Sequence, residues 1–173
     1  MKLIFSLLSF LLCHSVLAME LKYEGHSLFV DVPENWQIGK DLFGIPYTFF
    51  SPQENGQRSN ISFAPTGAEL ELDVVALKKN QKDYQENKKK WSEIHSAILL
   101  GFIPYKSYLN KNDHRVHTIG FSYSHREKKY VENSFYLECK GKIIFSKSLR
   151  LEVNQSHQKF FEEMINSLDC GVI

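Results

Sequence analysis

Apolar and polar positions alternate most regularly across residues 115–152. Val116, Thr118, Gly120 and Ser122 interleave with His117, Ile119, Phe121 and Tyr123. The same period-two pattern resumes over 130–140 and again over 143–151. Alternation rich in aromatic and β-branched residues marks antiparallel strands with one buried face. The polar stretch 124–129 and the Lys140-Gly141-Lys142 segment supply the turns, so this region is the scaffold on which the rest of the chain sits.

Upstream, residues 20–23 and 27–32 form a hairpin with Gly25 at its turn and Leu28, Val30 and Val32 on one face. Pro33 ends it, and Trp36, after a Glu34-Asn35 turn, reads as a core plug. Residues 40–47 read as an apolar loop around Gly44 and Pro46, either folded onto the core or exposed as a contact surface. Short strands follow over 47–50 and 60–64, the second with Ile61 and Phe63 on one side, separated by a polar turn around Gly56. At Thr66 the period changes. Thr66 and Glu69 form a capping box, and Leu70, Val74, Leu77, Tyr84 and Trp91 recur at helical spacing. The spacing predicts one long amphipathic helix over 68–91, with Gln81 and Lys88 interrupting its stripe. Lys88-Lys89-Lys90 resembles an anion-binding patch, but such a run more often is a solvated helix end that complements the dipole. Residues 98–109 form a strand in which Pro104 forces an edge position or a bulge, and residues 110–113 form a turn. The last element is a helix over 155–168 with Phe160, Phe161, Met164, Ile165 and Leu168 as its stripe, capped by Asn154 or Ser156. The fold class is therefore α+β: an antiparallel sheet flanked by one long helix and a C-terminal helix, an α/β/α sandwich.

Residues 1–18 do not belong to that pattern. Lys2, the apolar run 3–12 and Val16-Leu17-Ala18 have the order of a secretory signal peptide. The run is short of the ~20 residues of a membrane-spanning helix, and Leu12 before Cys13 does not suit lipid attachment. Cleavage leaves 19–173 as a single domain long enough to bury a core. The expected location is exported: periplasmic in a Gram-negative cell, otherwise secreted. Of the 21 basic and 20 acidic residues only Lys2 falls in the leader, so the mature chain is formally neutral. Neutrality argues against general affinity for nucleic acid.

Two of the three cysteines follow the leader, Cys139 and Cys170. In an oxidising compartment an even count favours a disulfide between them, with two buried free thiols as the alternative. Chemistry is otherwise scarce. Asp113, His114 and His117 form the densest polar cluster, with His125 beyond it, but an odd separation puts His114 and His117 on opposite strand faces. No zinc spacing, nucleophile elbow or phosphate loop occurs. Surface histidines are the expectation, and no cofactor, metal or catalytic residue is assigned.

Several local motifs carry a resemblance. Residues 29–36, FVDVPENW, then Phe50-Ser51-Pro52 and Asn60-Ile61-Ser62-Phe63, then 161–168, FEEMINSL, are similar to the opening strand, the next two strands and the final helix of the PsbP-like superfamily. That superfamily also contains Ran-binding Mog-type proteins and the exported DcrB group. The resemblance implies an antiparallel sheet flanked by helices, and a protein that binds or assembles other macromolecules rather than catalysing. It carries no catalytic residues to transfer, and a nuclear partner is incompatible with the leader. The functional expectation is an exported non-catalytic protein binding another protein or a cell-envelope component. The competing expectation is a small exported hydrolase or metalloprotein using the histidines near Asp113.

Overall fold

The computed structural model describes residues 16–23, 26–65, 81–139 and 142–171. Among them the chain runs β1 (Val16–Tyr23), β2 (His26–Pro33), β3 (Gln37–Leu42), β4 (Ile45–Phe50), β5 (Asn60–Pro65), α1 (Gln81–Ile94), β6 (Ile98–Leu109), β7 (Arg115–His125), β8 (Lys128–Cys139), β9 (Lys142–Leu151), α2 (Gln155–Ser167) and β10 (Asp169–Cys170). The strands make two sheets, β1-β2-β10 and β3-β4-β5-β9-β8-β7-β6, in which every pairing is antiparallel.

The alternation in β7, β8 and β9 becomes the two faces of the larger sheet. Val116 pairs with Leu137 and Leu137 with Ile144, and all three join a core cluster with Phe161, Met164 and Ile165 of α2. Leu28, Val30 and Val32 of the β1–β2 hairpin complete that core. On the other face Phe121 and Tyr123 meet Trp91 of α1, with ring centroids 5.5 and 5.0 Å apart. A side chain added at Gly120 would lie 2.5 Å from the Glu132 carbonyl oxygen, which explains a glycine in mid-strand.

Several expectations change. Residues 66–80, with the Thr66–Glu69 box and the first half of the long helix, lie outside the described residues; the described helix runs Gln81–Ile94. The apolar loop at 40–47 is a hairpin, β3–β4, turning at Phe43 and Gly44. Both have positive φ, 53° and 78°, the geometry that matches hairpin twist, and Phe43 is fully exposed at the tip. The hairpin escapes sequence reading because its turn carries Phe where Asn or Gly is the usual signal. Lys88 does not break the α1 stripe. Its ammonium lies 4.4 Å from the Phe121 ring centroid and 2.7 Å from Glu132 Oε1, so it belongs neither to a solvated helix end nor to an anion patch. Asn154 sits at the N-cap position of α2 without a side-chain cap bond, because its Oδ1 accepts from Asn55 Nδ2 at 2.9 Å. The strand with Pro104 is both things allowed: β6 is the sheet edge, and its register shifts between Ile103 and Lys106.

The β1 strand begins before the expected cleavage point. A chain starting at Met19 keeps the pairs from Met19↔Val30 to Tyr23↔His26 and the buried Leu21. No helix among the described residues is long and apolar enough to cross a membrane.

Candidate functional site

A cleft of about 760 Å³ lies beside α2. Pro33 and Trp36 form one wall, Pro52 and Glu54 a second, and Phe160, Glu163 and Met164 of α2 a third. Trp36 is fixed by edge-on contacts to Phe161 at 5.5 Å, His157 at 6.0 Å and Phe160 at 6.4 Å. The sequence reading of Trp36 as a core plug holds: it is buried, and Phe160 is the less buried ring.

His157 lies at the inner end of the cleft and is 3% exposed. Its Nδ1 is 2.7 Å from Ser59 Oγ and its Nε2 3.3 Å from Glu54 Oε1. The Ser59 hydroxyl is placed to hydrogen-bond Nδ1, while Nε2 stands at ion-pair distance from the Glu54 carboxylate. The serine, histidine and acid resemble a hydrolytic triad only in composition. Ser59 is 1% exposed and outside the cleft lining, and its N–H donates to Ser51 Oγ at 3.0 Å, so its hydroxyl faces structure rather than substrate space. The cleft rim carries pre-paired charges: Lys111 with Asp31 at 3.0 Å and Lys159 with Glu163 at 3.7 Å. Exposed pairs of this kind exchange partners at little cost.

The histidines singled out in the sequence are not brought together. His117 is buried, against expectation. Its Nδ1 lies 2.7 Å from Tyr105 Oη and its Nε2 2.7 Å from Glu138 Oε1, with Tyr105 stacked on the ring. Tyr105 lies within the register shift of β6 between Ile103 and Lys106, beside Pro104. His114 is half-buried in a different network, with Nε2 2.9 Å from Asp169 Oδ1 and 3.2 Å from the Cys170 amide nitrogen, which donates to it. Among the described residues no group of three histidine, cysteine or acidic side chains is placed to hold a metal ion.

Cys139 and Cys170 stand at disulfide distance, Cα to Cα 5.7 Å, joining the end of β8 to β10 just past α2. Several tyrosines are engaged in packing or hydrogen bonds. Tyr123 stacks on Tyr130 at 5.2 Å, Tyr136 lies against Phe145, and Tyr47 Oη donates to the Lys22 carbonyl at 2.7 Å. Burial, aided by the Glu132 charge and Tyr130, pushes the Tyr123 hydroxyl up to about 12, and burial first, then Glu132, raises Tyr84 as well. His157 was missed in the sequence, although a signal exists: it falls four residues before Phe161, on the buried face of α2.

No family model matches the chain, and no curated protein matches it. Solved structures do. LpqN of Mycobacterium tuberculosis, described as involved in cell envelope biogenesis, is 11% identical with a TM-score of 0.59, covering 91% of this chain and 92% of its own. The cyanobacterial PsbP, CyanoP, of Synechocystis sp. PCC 6803 is 11% identical with a TM-score of 0.60, covering 91% of this chain and 94% of its own. Identity at this level speaks for backbone arrangement and not for function. The mixed α+β chain with its antiparallel sheets and two described helices has the PsbP-like fold.

Proposed function

We propose that the protein is an exported, non-catalytic binding protein that holds a protein or cell-envelope component in the Trp36–Phe160 cleft. The observation that carries this reading is how the cleft's polar groups are used. His157 is hydrogen-bonded to Ser59 through Nδ1 and has Glu54 near Nε2, Ser59 is buried behind it, and the rim charges are already paired. A concave site with apolar walls and exchangeable rim charges suits recognition. Ser59, the serine that His157 contacts, is buried, which disfavours hydrolysis by that pair. The LpqN description as a cell-envelope protein is in keeping with the same reading. The competing metalloprotein reading gains nothing, because His114 and His117 sit in separate networks.

The proposal includes removal of residues 1–18, a Cys139–Cys170 disulfide formed on export, and an α1 that continues upstream toward residue 68 so that the large sheet lies between two helices. N-terminal sequencing of exported protein tests the first, and amide-exchange protection over 68–80 tests the last. Binding is tested by gentle cross-linking in native envelope extract, comparing the wild type with the rim reversals Lys111→Glu and Glu163→Lys. The expected result is a defined adduct lost in the reversals while their melting temperatures stay near wild type. Recovery of monomer alone from all three proteins sinks the proposal.

A further inference from the structure

The flank of α2 away from the cleft carries a second site. Arg150, on the α2-facing side of β9, is 6% exposed, and no carboxylate lies within ion-pair distance of it among the described residues. Nη1 donates to the carbonyls of Leu151 at 3.0 Å and Glu152 at 2.9 Å, and Nη2 donates to the Gln158 side-chain oxygen, while Nε–H has no acceptor among the described residues. A buried guanidinium with an open donor is a costly feature that packing does not require. It borders a groove of about 490 Å³, to which α2 contributes Gln155, Gln158 and Lys159.

A second, independent feature converges there. Helix α2 begins with no acidic residue in its first turn and no side-chain cap, so the positive end of its dipole has no anionic partner from that turn, while the Gln155 and His157 N–H groups donate to the Val153 and Asn154 carbonyls. Gln155, which opens α2, lines the groove.

We infer that this groove binds a compact oxyanion, a phosphate or carboxylate group, seated on Arg150 with Lys159 and the first turn of α2 beside it. The Gln158 oxygen is a neutral stand-in for one anionic oxygen, and its amide nitrogen is held by Glu162, to which it donates at 2.9 Å. Replacing that amide oxygen with an anionic one turns a bond to a neutral acceptor into an ion pair and offers Nε–H an acceptor. Glu152 and Glu162 line the same groove and oppose an incoming anion, so they set the affinity. The site is independent of the cleft proposal, apart from Lys159, which borders both concavities.

Calorimetric titration of the mature protein with inorganic phosphate, and separately with acetate, at low ionic strength is the test. The wild type binds at least one of them, and the arm that responds tells phosphate from carboxylate. Glu162→Gln removes an opposing charge and tightens binding about tenfold, equivalent to about 1.4 kcal/mol. Gln158→Glu supplies an internal carboxylate to Arg150 and weakens binding at least tenfold on the same scale. No binding of either anion by the wild type and by Glu162→Gln overturns the proposal, as does unchanged binding in both variants.

Discussion

Removing one member of the Lys88–Glu132 pair should destabilise the protein more than removing both. The Lys88 ammonium is 2.7 Å from Glu132 Oε1, with side-chain exposures of 18% and 9%. At that distance the attraction is roughly 6 kcal/mol for an effective dielectric of 20. Desolvation of the two ions costs several kcal/mol each and offsets most of it. The net worth of the intact pair is therefore small, whereas a lone survivor keeps its desolvation cost without the attraction. The two survivors are not equal. Glu132 retains Lys147, 3.7 Å away, while among the described residues Lys88 retains aromatic faces, Phe121 at 4.4 Å foremost. Glu132→Gln is accordingly the worse single change, about 3–4 kcal/mol, and Lys88→Met the milder, about 1–2 kcal/mol. The double variant should cost less than Glu132→Gln alone. Urea unfolding followed by circular dichroism gives the four free energies of the cycle. Additive losses, or a milder Glu132→Gln, would refute the reasoning.

The cysteine pair makes the unreduced mature protein lighter than the reduced form by about 2 Da, and reduction should lower stability by about 3–4 kcal/mol. Two alkylatable thiols in native exported protein contradict it. Tyr123, pushed up to about 12 chiefly by burial, should keep its proton in the folded state past the range of a free phenol. An unfolded chain loses that proton near 10, so the folded state binds more protons between about 10 and 12 and stability falls as pH rises through that window. Absorbance titration with parallel circular dichroism checks this, and complete ionisation near 10 in folded protein contradicts it. His157→Ala should cost about 2–4 kcal/mol by removing packing on Trp36 and the partner of the buried Ser59; a thermal melt within a degree of wild type argues against that role.

The three central strands were legible because each side chain's face follows from a period of two, and β7–β9 pair without a register break. The edge position and bulge of β6 were legible from Pro104 for the same kind of local reason. What failed depends on partners distant in sequence. Lys88 looks like an interruption until Glu132, 44 residues away, turns a charge into a buried anchor. His117 looks like a surface residue until Tyr105 and Glu138 close around it. His157 becomes notable only when the Glu54–Ser59 segment folds against α2. The cleft was unreadable for that reason: its three walls come from separate stretches, and only Trp36 announced itself.

The central claim, that the Trp36–Phe160 cleft is where a partner is held, is tested most directly by placing a photo-reactive residue at Glu163, on the cleft rim, and in a second protein at Glu86, exposed on α1. Illumination in native envelope should give a discrete adduct from position 163 and none from position 86. Equal adducts from both positions, or none from 163 in folded protein, contradict the claim.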